Sequence, residues 1–221
     1  MPAKRKSKIV AYLLLDWFAA ILAWTLFFLA RKVVVEHQTL EATAKHLSDL
    51  EFYKGVILVP LGWLFLYFIT NSYIDVFKKS RLVELGKTWL ITLLGSAIIF
   101  FVLILDDHIN VYRDYYVLFL ILIILHGGIT STFRILFLNH AKKQLITGKV
   151  KFNTLIIGGN HEATKVYEEI SKVKGKLGHF FNGFVTVDNQ KQNGLSNYIP
   201  KLGSLNEIET IINKENIENV I

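Results

Sequence analysis

The sequence predicts an α-helical membrane domain of four transmembrane helices followed by an incomplete α/β domain with a parallel sheet. Three observations lead there. Hydrophobic residues make up 52% of the chain, above the usual globular range, and they are concentrated before residue 140. The net charge of +7 falls in the same part: residues 1–150 hold 17 Lys and Arg against 10 Asp and Glu, and residues 151–221 hold 8 against 8. From residue 151, "KFNTLIIGGNHEATKVYEEI" replaces long apolar runs with a short apolar run, a glycine turn and an amphipathic segment.

Four apolar segments approach the roughly 20 residues that a helix needs to cross a bilayer. They are Ile9 to Ala30, Gly55 to Ile74, Thr88 to Leu105 and Tyr115 to Arg134. The first has a longer apolar run than a secretory signal and no small-residue cleavage site, so it is expected to stay as a span. Basic residues orient the spans, because Lys and Arg of short loops are retained on the cytoplasmic side. "AKRKSK", "VFKKSRLVELGK" and the stretch from Arg134 to Val150 place 12 on one side, against 5 on the other (Arg31, Lys32, Lys45, Lys54 and Arg113). Both chain ends are therefore expected in the cytoplasm, with residues 31–54 as an outer loop whose Leu40, Ala44, Leu47 and Glu51 fall at helical spacing.

Asp16 lies inside the first span, where an ionised carboxylate is costly and faces protein or water. Counted at 1.5 Å per residue, Asp16 and His126 both lie roughly 10–12 Å from the cytoplasmic end, which allows an Asp16–His126 contact between helices. Packing is the favoured reading of that contact, since Gly127 and Ser131 make a small-xxx-small pair. The outer loops carry no T-V-G-Y-G-like filter, and four spans without repeats argue against a complete secondary transporter. The balanced charge after residue 150 argues against nucleic acid as a partner. With no cysteine, thiolate chemistry and Cys-based metal sites are excluded. "DDH" at Asp106 to His108 reads as a solvated turn, so no metal ligands are nominated.

Residues 1–134 are thus assigned to the membrane domain, 135–151 to a basic membrane-proximal linker, and 152–221 to the α/β domain. "NTLIIGG" suits a buried parallel strand, and Ala163, Val166, Tyr167 and Ile170 share one face of the following helix. Phe180 to Val187 make a second strand. Ser204 with Glu207 forms a capping box that starts another helix, and "IENVI" is a third strand. Because that strand ends with the sequence, the domain is expected to be truncated. Gly158, Asn160 and Ala163 occupy the three places of a dinucleotide-binding turn. Asn160 is expected to stand in for a glycine by tolerating positive φ, and Gly159 beside it retains backbone freedom. Gly158, Gly159 and Asn160, with Asp188 as a ribose-binding carboxylate, are the candidate cofactor-binding residues should the turn take a nucleotide; the Asn160 side chain stands where a phosphate would approach and Asp188 follows Gly158 by 30 residues, so a purely structural turn is the favoured reading.

The order of four spans, a basic linker and then "NTLIIGGNHEATKVYEEI", "FNGFVTVD", "IPKLGSLNEIETII" and "IENVI" resembles the N-terminal half of large bacterial polyprenyl-phosphate glycosyl-1-phosphate transferases. The resemblance implies a Rossmann-like module often labelled CoA-binding, and a bacterial cytoplasmic-membrane location. It places catalysis in a C-terminal domain beyond these residues, with an acidic Asp–Glu pair. That domain uses magnesium to transfer a sugar phosphate from a nucleotide sugar to undecaprenyl phosphate, so no catalytic residue is nominated here. The bilayer and other polysaccharide-synthesis proteins are the implied partners, with a homo-oligomer left open. Two alternatives share the front end: a membrane-bound nucleotide-sugar dehydratase or epimerase, and a nonenzymatic scaffold for polysaccharide synthesis.

Overall fold

The fold is described from a computed structural model, for residues 3–35, 37–74, 76–106, 112–173, 178–187 and 194–221. The chain divides into two compact units, Met1–Asn139 and His140–Ile221.

The first unit is helical. Four helices are long and apolar enough to cross a membrane: α1 (Ala3–Val35), α3 (Leu50–Ile69), α4 (Arg81–Asp106) and α5 (Tyr112–Ile146). The short α2 (Leu40–Lys45) and a single 3₁₀ turn at His46–Ser48 lie between α1 and α3, in keeping with the helical spacing of Leu40, Ala44 and Leu47. The outer surface of the bundle carries large apolar side chains such as Leu58, Phe65, Phe68, Phe101 and Ile124, each more than 60% exposed. Such a continuous apolar exterior is unfavourable in water and matches the hydrocarbon of a bilayer. Inside, Trp24, Phe27, Phe28, Leu118 and Leu122 form an apolar core between α1 and α5. Gly127 was expected to let helix backbones approach. It instead makes room for an aromatic ring, since a Cβ there would come within 2.8 Å of the Trp89 indole on α4.

The fourth helix does not stop at Arg134. No proline or glycine interrupts "ILFLNHAKKQLI", so α5 runs on through Ile146, and the segment 135–151 is mostly helix. The helix ends at Ile146, and two residues on Gly148 adopts φ +69°, a conformation glycine reaches without strain.

In the second unit four parallel strands lie in the order β3-β2-β1-β4: β1 (Phe152–Ile157), β2 (His179–Thr186), β3 (Lys201–Ser204) and β4 (Asn219–Val220). Between them run α6 (His161–Lys172) and α7 (Ile208–Lys214). Successive residues of β1 face opposite sides, so Ile156 packs with Phe184, Ala163 and Leu195 on the α6 side while Leu155 packs with Val185 and Ile211 on the α7 side. Burial on both faces explains why "LIIGG" is uninterrupted by polar residues. The expected capping box is present: the Glu207 carboxylate accepts from the Ser204 backbone N–H at 3.0 Å and from its hydroxyl at 3.2 Å. These bonds, the backbone one first, hold the exposed Glu207 carboxyl below the ordinary carboxylate range.

The sheet has one strand more than the sequence reading expected. β3 is four residues long and holds Lys, Gly and Ser, which are poor strand formers. Its pairing begins at Pro200, whose carbonyl accepts from the Phe184 N–H at 3.0 Å.

Candidate functional site

The turn after β1 is the first candidate. β1 sits between β2 and β4, so the chain departs from it in opposite directions on its two sides. Ligands of open α/β sheets bind at the carboxyl ends of strands at such a switch point. Gly158 lies there with φ +110° and donates its N–H to the Val185 carbonyl at 2.8 Å. Gly159 is buried, and a Cβ on it would stand 3.0 Å from the Phe184 ring. Asn160 is not a glycine substitute. Its φ is −81° with ψ 179°, and it is the N-cap of α6, where Oδ1 accepts from the Ala163 N–H at 3.0 Å. A helix N-terminus attracts anions through its unsatisfied N–H groups, and here the chain's own side chain satisfies one of them. Asp188 lies outside the described residues, as do Asp107 and His108.

The Asn160 cap predicts a graded response. Asn160→Ala should destabilise α6 by about 1 kcal/mol and Asn160→Gly by only a few tenths; amide exchange of residues 161–172 in the full chain measures both.

A cavity of about 460 Å³ opens at the other end of the same sheet, beside the paired strand starts Phe152 and His179. Tyr167, Phe181 and Tyr198 wall it together with Lys151 and His179. The Thr154 hydroxyl donates to the Phe152 carbonyl at 2.9 Å, so its 2.9 Å contact with His179 Nδ1 requires that nitrogen to carry the proton. None of these residues is a site candidate in the sequence alone.

In the helical unit the structure replaces the expected Asp16–His126 contact with a different pair. Arg134 meets Asp16 through two hydrogen bonds, Nε to Oδ1 at 3.0 Å and Nη2 to Oδ2 at 2.7 Å. Because α5 continues beyond Arg134, this side chain lies within the bundle, at the level of Asp16. A guanidinium matches both carboxylate oxygens, which imidazole cannot do. His126, two turns before Arg134 on α5, instead stacks on Trp63 with ring centroids 3.6 Å apart, and its Nε2 lies 3.0 Å from the Tyr67 hydroxyl.

Arg134 anchors a larger network. Its Nη1 donates to Glu84 at 3.1 Å and to the Thr88 hydroxyl at 2.9 Å. Glu84 also accepts from the Tyr12 hydroxyl at 2.9 Å and from Lys79 at 2.8 Å. The guanidinium lies 4.0 Å from the Tyr67 ring centroid, a cation–π contact. Two carboxylates thus face two cations, and Asp16, Glu84 and Arg134 are each at least 95% buried. Burial pulls the Lys79 ammonium below its ordinary range, and its bond to Glu84 opposes that. Tyr73, in the loop after α3, has its phenol pushed up by burial first and by the Asp16 charge second. Lys79 also donates to the Ser72 carbonyl, and Lys87 to the Thr70 carbonyl at the end of α3, so the 70–80 loop is tied to the same cluster.

Chemically, the charged atoms of Asp16, Glu84 and Arg134 are all paired within the cluster, which is what a packing role requires. No group of three or more His, Cys, Asp or Glu side chains suited to hold a metal occurs among the described residues. No protein-family model matches the chain, and no curated protein matches it.

Proposed function

We propose that this chain is the membrane and Rossmann-like region of a bacterial polyprenyl-phosphate glycosyl-1-phosphate transferase, and that this region is not itself catalytic. One observation carries the reading: four apolar helices are followed, in the same chain, by a parallel β-α-β module whose phosphate turn is capped from within. In this role the helices fix the protein in the cytoplasmic membrane. The Rossmann-like module stands on the cytoplasmic side, with other polysaccharide-synthesis proteins as its partners there. The distribution of Lys and Arg supports that orientation. Sugar-phosphate transfer to undecaprenyl phosphate, with magnesium, is then the work of a separate acidic domain.

The coding DNA beyond Ile221 tests the reading. An in-frame acidic transferase domain is the expected result. A dehydrogenase-type domain with its own G-x-x-G-x-x-G and Tyr-x-x-x-Lys would replace it with the dehydratase or epimerase reading, and an immediate stop codon would leave the scaffold.

A further inference from the structure

A groove of about 640 Å³ runs along the flank of the first unit between α1, α3 and α4. Its walls reach along α3 from Glu51 to Leu66, about 22 Å at 1.5 Å per residue. That is deeper than one leaflet of hydrocarbon, about 15 Å as half of a ~30 Å core. The groove exists because glycines replace bulk on its walls. Gly55 and Gly95 let the Trp24 and Trp63 indoles lie flush against α3 and α4, since a Cβ at either would run into those rings. At Gly62 a Cβ would meet nothing within 4 Å, so the space above it is open.

The two ends differ in chemistry. The deep end is apolar, with Trp63, Leu66 and Ile98. At the other, Arg31 and Lys54 line the groove, and Lys32 stands over the ring of its wall residue Phe28 at 5.8 Å. Trp24, two turns before Arg31 on the same face of α1, has a buried Nε1–H with no hydrogen-bond partner. A long apolar slot with cations at one end is complementary to one kind of molecule in a bilayer.

We propose that this groove holds an anionic phospholipid, its acyl chain along Gly62 and its phosphate beside Arg31 and Lys54. The inference rests on the four helices lying in a bilayer and is independent of the transferase reading. Juxtamembrane cations attract anionic headgroups, and a chain filling the slot removes apolar wall from empty space.

Native mass spectrometry of the full chain in detergent, given equal amounts of phosphatidylglycerol and phosphatidylethanolamine with identical chains, tests it. The wild type should retain phosphatidylglycerol at least tenfold over phosphatidylethanolamine. Gly62→Phe should lower the retained phosphatidylglycerol at least tenfold, because its ring fills the slot. Gly86→Phe, at another open position on α4 outside the groove, should leave it unchanged. Lys54→Glu should abolish the preference between the two lipids. Equal retention of both lipids by the wild type would overturn the proposal, as would unchanged phosphatidylglycerol on Gly62→Phe or a lipid-free dimer.

Discussion

Arg134→Met should destabilise the helical unit by about 3–5 kcal/mol, the cost of leaving a buried charge without its partner. Asp16 would lose both of its hydrogen bonds from Arg134, while Glu84 would keep Tyr12 and Lys79. The damage should therefore come from Asp16 and not from Glu84. Removing both charges together, as Arg134→Met with Asp16→Leu, should recover more than half of the loss, because two apolar side chains need no partner. Reversible unfolding of the purified chain in mixed micelles, compared across the two single variants and the double variant, measures this coupling. Additive losses would show that the pair is not a unit.

Gly158→Val should destabilise the α/β unit by about 1–3 kcal/mol, the usual cost of holding a non-glycine residue in a sparsely populated backbone region. At φ +110° a β-branched side chain is strained, whatever ligand the turn does or does not bind. The chain cannot relax by rotating the peptide, because the Gly158 N–H is held by Val185 and the next residue is packed on Phe184. Denaturant unfolding of the full chain, followed by amide exchange in β1 and β2, reads the effect. The glycine is thus required by the strand-to-helix turn alone, so its presence does not by itself argue for a nucleotide. Asn160 points the same way, with its side chain bonded to the helix start.

The spans were legible in the sequence because their length and apolarity carry the information. Their ends are not, because the last basic residue of an apolar run does not mark the edge of the fourth span: α5 runs past Arg134 and carries it to the level of Asp16. A second signal was present. Glu84, Thr88, Thr92 and Ser96 recur every fourth residue on α4, as do His126, Thr130 and Arg134 on α5, and all seven are buried. A polar stripe at helical spacing marks an inward face, and reading it would have brought Glu84 and Arg134 together. Asn160 shows a different failure. Its place in a glycine motif conceals that asparagine before a helix is first of all a capping residue. β3 escaped because four residues of poor strand propensity gain their conformation from the neighbouring strand, through the Phe184–Pro200 bond. That is a tertiary effect no local pattern reports.

The proposed orientation puts the α/β module of a four-span chain on the cytoplasmic side of the membrane. The absence of native cysteine makes that claim directly measurable. Single exposed cysteines at Ser48→Cys, Ser80→Cys and Ser196→Cys can be probed with a membrane-impermeant maleimide in right-side-out and inside-out vesicles. In the proposed orientation Ser48→Cys labels only in right-side-out vesicles, and Ser80→Cys and Ser196→Cys label only in inside-out ones. Labelling of all three positions from the same face would contradict it.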